Sequence, residues 1–245
     1  MSDLKRNEML FVVIPAYNEE ENIPNLLSSW YPELQSCMGE NGDFRLIIIN
    51  DGSTDKTYDI LQELKAAYDK IIPVTKVNGG HGSAVLYGYR YAIENGADWI
   101  FQTDSDGQTN PMEFVEFWEN RKQYDAIIGN REVRGDGQAR KFVEKVVCLL
   151  LRLFFGVKVK DANAPFRLMK AELVNKYIGK LPLDFNIPNI MFTTYFTYFR
   201  ENILFLPISF KSREKGTNTI NPQKIIKIGW KAVGDFKRLR REIND

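Results

Sequence analysis

The sequence predicts an α/β fold in which a mostly parallel sheet is flanked by helices. Apolar runs rich in β-branched residues, typical of strands buried on both faces, alternate with helical patterns at least four times. The connections between them are short, which favours right-handed crossovers in one doubly wound sheet. A polar motif follows each of five predicted strands, and ligands bind at that edge of such sheets.

Five strands with intervening helices fill the first half of the chain. The strands are predicted at residues 9–14, 44–49, 71–77, 98–103 and 125–129, with helices at 22–37, 55–68, 83–95 and 111–121. The second half is predicted to begin with a polar Gly-rich segment at 132–138. Helices are predicted at 141–155, 171–180 and 189–200. A polar loop at 161–169 is predicted to enter a short strand, and a further strand is predicted at 203–210. A last helix, basic and amphipathic, begins at Asn221-Pro222.

Two of these helices have more than one interpretation. The apolar helix at 141–155 carries Lys141, Lys145 and Arg152, and it fits either a core helix or a helix lying on a membrane. The C-terminal helix, which ends in Lys237-Arg-Leu-Arg-Arg241, fits either a solvated helix packed on the body or a basic membrane contact.

Composition narrows the class of protein. The chain of 245 residues is 44% hydrophobic and 27% charged, as in ordinary globular domains. Lys and Arg number 33 against 32 Asp and Glu, so no overall field favours nucleic acid. The only cysteines, Cys37 and Cys148, match no metal-binding spacing, which favours a reduced intracellular protein. The apolar run at 9–14 is too short for a signal peptide, and no stretch approaches the ~20 apolar residues of a spanning helix. We therefore expect a cytoplasmic location.

A pair of carboxylates, Asp104 and Asp106, follows the fourth predicted strand. Alternate residues of a strand face the same way, so both can converge on one point beyond the sheet edge. Two such anions repel each other unless a cation lies between them, and a hard divalent ion prefers oxygen ligands. An ordinary Asp-rich turn is the alternative. The other predicted strands are also followed by polar motifs, at 15–19, 50–55, 78–82 and 130–131. All five motifs are expected at the same edge of the sheet, which favours a ligand site there.

Four segments, in this order and spacing, resemble the family 2 inverting glycosyltransferases with the GT-A fold. They are VIPAYNE at 13–19, NDGSTD at 50–55, the Gly-rich segment at 78–84 and DSD at 104–106. Within that family the chain is similar to the dolichol-phosphate mannose synthase and polyprenyl-phosphate glycosyltransferase branch, on residues 104–111, 129–131, 161–167 and 213–216. The resemblance implies one GT-A, Rossmann-like domain over residues 1–245 with C-terminal amphipathic helices. Residues 1–131 would form the nucleotide-sugar-binding half and 132–245 the acceptor-side half.

The resemblance also implies how the donor is held. Pro15, Tyr17 and Glu19 would contact the base and ribose of a nucleotide-diphosphate sugar. Asp51 would accept a hydrogen bond from the base, alone, because Asn50 stands where many relatives have a second acid. Gly82, in the Gly-rich loop before a helix N-terminus, would let backbone approach the donor.

For the reacting centre, the resemblance implies that Asp104, Asp106 and Gln108 bind Mg²⁺ or Mn²⁺ at the donor diphosphate. Arg131 and Arg213 would face the phosphate of the acceptor or donor. Independent chemistry agrees, because a departing nucleoside diphosphate gains negative charge that a divalent ion and basic side chains stabilise. The planar fork of arginine also suits a phosphate, since it binds two oxygens at once.

Three functional hypotheses follow. The leading one is transfer of a hexose from GDP- or UDP-sugar to a polyprenyl phosphate at the cytoplasmic membrane face, with peripheral membrane contact or a membrane partner. A saccharide hydroxyl acceptor would instead need a general base, for which Asp161 is the nearby candidate. The third is a nucleotide-sugar-binding protein without transfer activity. The sole histidine, His81, fits either a donor-pocket residue or a plain loop residue.

Overall fold

A seven-stranded sheet forms the centre of the computed structural model, which describes residues 8–39, 42–134, 138–212 and 233–240. The strands are β1 (Glu8–Ala16), β2 (Gly42–Asn50), β3 (Ile71–Thr75), β4 (Trp99–Gln102), β5 (Ala126–Arg134), β6 (Arg167–Lys170) and β7 (Ile203–Phe210). Their order across the sheet is β3-β2-β1-β4-β6-β5-β7. β6 runs antiparallel to β4 and β5, whereas the other pairings are parallel. The mostly parallel α/β sheet predicted from sequence is confirmed.

Helices cover both faces of the sheet. They are α1 (Ile23–Met38), α2 (Thr57–Leu64), α3 (His81–Glu94), α4 (Phe114–Asn120), α5 (Gln138–Phe155), α6 (Ala171–Ile178) and α7 (Pro188–Tyr198), with a 3₁₀ turn at Pro111–Glu113. Residues 233–240 are also helical, and we call them α8. The core beside α1, α2 and α4 is separate from the core beside α3, α5, α6 and α7. Phe236 of α8 joins the second core by packing edge-on against Phe155 of α5.

The apolar sequence of β1 explains its central place. Val12 and Ile14 are buried in the core beside α1, whereas Val13 between them is buried in the core beside α3. A strand with one polar face could not occupy this position, since both faces are covered. Each fully buried Val, Leu or Ile side chain contributes roughly 1.5–3 kcal/mol to folding.

Some element boundaries differ from the sequence prediction. α2 ends at Leu64 and not near residue 68, because a turn with hydrogen bonds to the carbonyls of Glu63 and Leu64 follows it. β5 continues past Gly129 to Arg134, because its far end pairs with β7 around an irregularity between Asn130 and Val133. The predictions for residues 135–137, for the loop that contains Arg213 and for the start of the last helix lie outside the described residues.

The reversed strand β6 brings an incoming segment to the ligand edge of the sheet. Arg167, its first residue, pairs with Gln102 at the end of β4 and with Ile128 of β5. The loop that precedes β6 and contains Asp161 therefore reaches the same edge as the segments that leave β1, β2 and β4. None of the helices in the described ranges combines the length and apolar character needed to cross a bilayer.

Candidate active site

The loops that follow β1 and β2 are joined to each other by hydrogen bonds. The side-chain oxygen of Asn18 accepts from the amide of Thr54 (2.8 Å), and the amide of Asn18 donates to Ser53 Oγ (3.0 Å). The amide of Glu19 donates to Thr57 Oγ1 (2.8 Å). Asn18 has a φ of 54°, a left-handed conformation that asparagine tolerates better than most residues. The motifs at 15–19 and 50–55 therefore form one polar unit.

Three residues of the first motif were assigned to the base and ribose, and they differ in accessibility. Pro15 is buried within β1. The carboxylate of Glu19 is also buried and accepts a hydrogen bond from Asn22 Nδ2 (2.5 Å). Of these three residues only Tyr17 is exposed, so a ligand at the rim can reach its ring.

Asp51 lies buried beneath the Gly-rich loop and holds it in place. Its Oδ1 accepts from Lys76 Nζ (2.6 Å) and from the amide of Gly79 (3.0 Å), and its Oδ2 accepts from the amide of Gly80 (2.8 Å). The family resemblance implies that Asp51 contacts the base, and it gives no role to Lys76. No motif marks Lys76, because a lysine after a strand is common and its partner lies 25 positions earlier in the chain.

Gly82 permits a close contact between the start of α3 and the segment that precedes α7. A Cβ atom at Gly82 would lie 2.2 Å from the carbonyl oxygen of Phe185 and 2.6 Å from that of Asn186. The resemblance implies that Gly82 lets backbone approach the donor. The structure adds that the missing side chain leaves room for the segment that precedes α7. His81, its exposed neighbour, places Nε2 3.9 Å from Asp104 Oδ1.

The carboxylate pair lies where β4 ends, as predicted. Asp104 Oδ1 is buried and has no hydrogen-bond partner among the described residues, while Asp106 Oδ1 accepts from the amide of Gln108 (3.2 Å). A buried carboxylate oxygen without a partner is costly, and a bound cation would satisfy it. Within the described ranges no three His, Cys, Asp or Glu side chains cluster as a metal site. Asp104 thus offers one buried oxygen that a cation could use, and Asp106 lies two residues further along the same loop.

Gln108 joins the carboxylate loop to the end of β7. Its Nε2 donates to the carbonyl of Lys211 (2.6 Å), and the amide of Lys211 donates to the carbonyl of Gln108 (2.9 Å). Glu113 adds a second link, since its carboxylate accepts from the amide of Ser209 (3.0 Å). The resemblance implies that Gln108 binds the metal, and in the structure its amide nitrogen donates to the backbone of Lys211.

Arg131 and Asp161 form a bidentate ion pair on the other side of the site. Arg131 Nε and Nη2 lie 2.7 and 2.9 Å from the two oxygens of Asp161, and Glu144 Oε2 lies 3.6 Å from Nη2. The register of β5 against β7 shifts between Asn130 and Val133, and Arg131 lies within this irregularity. Both side chains are almost completely buried. Since both oxygens of Asp161 accept hydrogen bonds from Arg131, Asp161 serves this arrangement by fixing the guanidinium.

A buried polar cluster lies beneath the carboxylate pair, and sequence reasoning gave it no role. Arg167 is fully buried and donates to the carbonyls of Ala164 (2.7 Å) and Asn189 (3.1 Å), and burial lowers the pKa of its guanidinium. Tyr89 donates to Gln102 Oε1 (2.5 Å), and burial raises the pKa of its hydroxyl. The only signal in the sequence is an arginine at the start of a short strand whose two central residues, Leu168 and Met169, are apolar.

A family model described as "Glycosyl transferase family 2" matches residues 11–178, which include both loop motifs, the carboxylate pair and Arg131. The chain belongs to glycosyl transferase family 2. The family resemblance predicted from the sequence motifs is thereby confirmed.

Two relatives illustrate the similarity within this family. An undecaprenyl-phosphate 4-deoxy-4-formamido-L-arabinose transferase of Pectobacterium carotovorum is 27% identical over 220 residues, which are 89% of this chain and 64% of the relative. An undecaprenyl-phosphate mannosyltransferase of Micrococcus luteus is 26% identical over 223 residues, covering 86% of this chain and 87% of the relative. The family 2 chain spans slightly less than two thirds of the length of the first relative and most of the length of the second.

Solved structures support the fold. Glucosyl-3-phosphoglycerate synthase from Mycobacterium tuberculosis, in complex with Mn²⁺, uridine diphosphate and glucosyl-3-phosphoglycerate, superposes with a TM-score of 0.64 and 19% identity, covering 96% of this chain and 80% of that one. S. aureus TarS 1-349 in complex with UDP gives a TM-score of 0.57 and 19% identity, covering 90% of this chain and 63% of that one. The sheet and helices are those of the GT-A glycosyltransferases, as predicted.

Proposed function

We propose that this family 2 chain transfers a hexose from a nucleotide-diphosphate sugar to a polyprenyl phosphate, with inversion at the anomeric carbon. The observation that carries the proposal is the buried oxygen of Asp104, which has no hydrogen-bond partner in the part of the chain that the structure describes and lies near Asp106 at the ligand edge of the sheet. That oxygen is suited to a cation, and diphosphate leaving groups need one. The names of the relatives, which are transferases to undecaprenyl phosphate, support the acceptor.

On the donor side, the joined loops after β1 and β2 would hold the nucleotide. Tyr17 would lie against the base or ribose, and Asp51 would order the Gly-rich loop through its bonds to Gly79 and Gly80. Asp104 and Asp106, with Gln108 nearby, would hold Mg²⁺ or Mn²⁺. A divalent ion bound there supplies charge neutralisation for the departing nucleoside diphosphate.

On the acceptor side, a phosphate oxygen would attack the anomeric carbon as the bond to the diphosphate breaks, and the electron pair of that bond leaves with the diphosphate. A phosphate is already an anion, so this step needs no general base. The engagement of both Asp161 oxygens by Arg131 supports this over a hydroxyl acceptor. Arg131 and Arg213 would provide positive charge for the phosphates. Such an acceptor implies peripheral contact with the cytoplasmic membrane face.

The test is transfer by the purified chain, supplied with Mn²⁺ or Mg²⁺, a panel of UDP- and GDP-sugars and short-chain polyprenyl phosphates. We expect one donor to yield a lipid-linked sugar. Asp104→Asn should abolish transfer, whereas Asp59→Asn, on the exposed face of α2, should leave it unchanged. Nucleotide binding without lipid-linked product from any donor would refute the acceptor assignment. A product on a saccharide in its place would assign the hydroxyl-acceptor reaction.

A further inference from the structure

Helix α5 exposes a row of aliphatic side chains that the core does not use. Val146, Leu149 and Leu153 are 39%, 56% and 72% exposed. They are three and four residues apart, so they lie along one face of the helix. Leu151 and Phe155 are buried on the other side, where Phe155 contacts Phe236 of α8. The exposed side chains are therefore not the ones that pack α5 against the rest of the protein.

Basic side chains surround this row. Lys145 and Arg152 are exposed on the same helix, and Lys158 and Lys160 are exposed on the segment that follows. Residues 145–160 contain no acidic side chain. A shallow cleft between the helix and the following segment is lined by Cys148, Leu149, Arg152, Val157, Lys158 and Val159. The surface thus combines apolar contact area with positive charges that form no ion pair with another described residue.

We propose that this α5 surface, formed by Lys145, Val146, Leu149, Arg152, Leu153, Lys158 and Lys160, docks on a bilayer that contains anionic phospholipid. An apolar row flanked by cations is the pattern of a helix that lies in the interfacial plane, with aliphatic side chains at the acyl boundary and ammonium or guanidinium groups among headgroup phosphates. The charge complementarity selects an anionic membrane as the occupant. A partner protein with a neutral apolar groove would leave these charges unpaired.

The docking surface is coupled to the candidate active site through the same helix. Glu144, one residue before Lys145, lies 3.6 Å from Arg131 and accepts from the amide of Ala162 (2.8 Å). A chain held on the membrane by α5 thus places the side of the site that contains Arg131 and Asp161 close to the bilayer. The proposal rests on the membrane contact that the proposed function implies, and it names the surface that makes this contact. Vesicle binding is measured without donor or acceptor, so its failure is distinguishable from a failure of sugar transfer.

The experiment is co-sedimentation of the full chain with phosphatidylcholine vesicles, with and without phosphatidylglycerol. We expect binding to the vesicles that contain phosphatidylglycerol and a steep loss of binding as salt is added. Leu149→Ser with Leu153→Ser should lower the vesicle partition coefficient roughly tenfold or more, and so should Arg152→Gln with Lys158→Gln. Leu183→Ser, at a leucine that is 70% exposed elsewhere, and Lys122→Gln are the matched controls and should bind as the unmodified chain does.

Equal binding of the leucine variant and the unmodified chain would overturn the proposal, and so would absence of binding to anionic vesicles. Sedimentation equilibrium without lipid adds a second readout. A dimer that the leucine variant loses would assign the surface to self-association and overturn membrane docking. Because the substituted side chains are exposed, both variants should keep the thermal denaturation midpoint of the unmodified chain. The charge variant is independent of the leucines and supports or refutes the proposal even if the leucine variant is unstable.

Discussion

At the residue scale, the site contrasts one unsatisfied carboxylate with two fully engaged ones. Among the residues that the structure describes, Asp104 has one buried oxygen without a hydrogen-bond partner, whereas Asp51 and Asp161 use both oxygens to hold a loop and an arginine. Three acids of the same type at one edge therefore perform different tasks, and their hydrogen bonds distinguish them. Free ligand capacity belongs to Asp104, and ordering of neighbouring groups belongs to the others.

Asp161→Asn separates a positioning role from general-base catalysis. We expect the substitution to weaken the hold on Arg131 and to raise the KM for the polyprenyl phosphate roughly tenfold, with the pH profile of kcat unchanged in shape. Steady-state kinetics over a range of pH measure both quantities. A general base would give a different result, namely a kcat that collapses and then rises in proportion to hydroxide. Thermal denaturation of the variant checks that it remains folded after the buried ion pair is broken.

Cys148, a residue of α5 that lines the cleft next to this helix, should be a poor nucleophile. Burial, with a further contribution from Glu144, raises the pKa of its thiol to about 12. The thiolate is the reactive form, so reactivity is low below that pH and rises as pH approaches it. Alkylation by iodoacetamide at pH 8, followed by peptide mass spectrometry, should be roughly a hundredfold slower in the native chain than in denaturant. Rapid native labelling at Cys148 would contradict the burial seen at this position.

At the element scale, the rim of the site is held together by contacts between loops that are far apart in sequence. The hydrogen bonds of Asn18, Asp51 and Gln108 each join a strand end to a segment between 25 and 103 positions away. Local sequence predicted the individual loops, because turn residues and strand ends have short-range signals. It could not predict which loop would pair with which, since that depends on strand order across the sheet.

Gly82→Ala tests the contact between α3 and the segment before α7. The added methyl would meet backbone at 2.2 Å, so the segment must move and the chain should lose roughly 1–3 kcal/mol of stability. Chemical denaturation measures this loss. Gly179→Ala is the matched control, because Gly179 has a φ of −67° and open space around its Cβ position. Equal stability of the two variants would contradict the close approach.

Gln108→Glu distinguishes the two roles available to Gln108. A carboxylate keeps an oxygen for a metal but cannot donate to the carbonyl of Lys211, which lies 2.6 Å from the present amide nitrogen. We expect the variant to lose roughly 1–3 kcal/mol in denaturant unfolding, because a buried acceptor then faces another acceptor. Mn²⁺ titration in the presence of nucleotide reports the other role. An unchanged unfolding free energy would argue that the link to β7 contributes little.

At the scale of the whole molecule, the sequence predicts the architecture but not the tertiary contacts between its elements. Alternation of buried strands and helices was enough for the α/β class, and motif order was enough for the family. Arg167 and Lys76 escaped because their contacts depend on tertiary neighbours. The guanidinium of Arg167 donates to the carbonyl of Asn189, and Lys76 pairs with Asp51 in the loop after the adjacent strand β2. The extension of β5 to Arg134 escaped because it requires β7 as a partner.

Hydrogen exchange should reflect the sheet order. β1 pairs with β2 along all nine of its residues and also with β4, whereas β3 is an edge strand paired only with β2. Amides of β1 and β4 should therefore exchange roughly tenfold or more slowly than those of β3. Exchange followed by mass spectrometry gives this ranking directly. Uniform protection across β1 and β3 would be inconsistent with the order of the strands.

The reversal of β6 has a consequence for how this chain could diversify. Its antiparallel direction lets the segment before it enter the site from outside, while the segments after β1, β2 and β4 leave the sheet there. Insertions or exchanges between residues 156 and 166 can therefore alter one wall of the site without shifting the register of the strands that carry the other. Donor and acceptor preferences could then evolve as separate traits, and chimeras joined near residue 156 between relatives offer a way to recombine them.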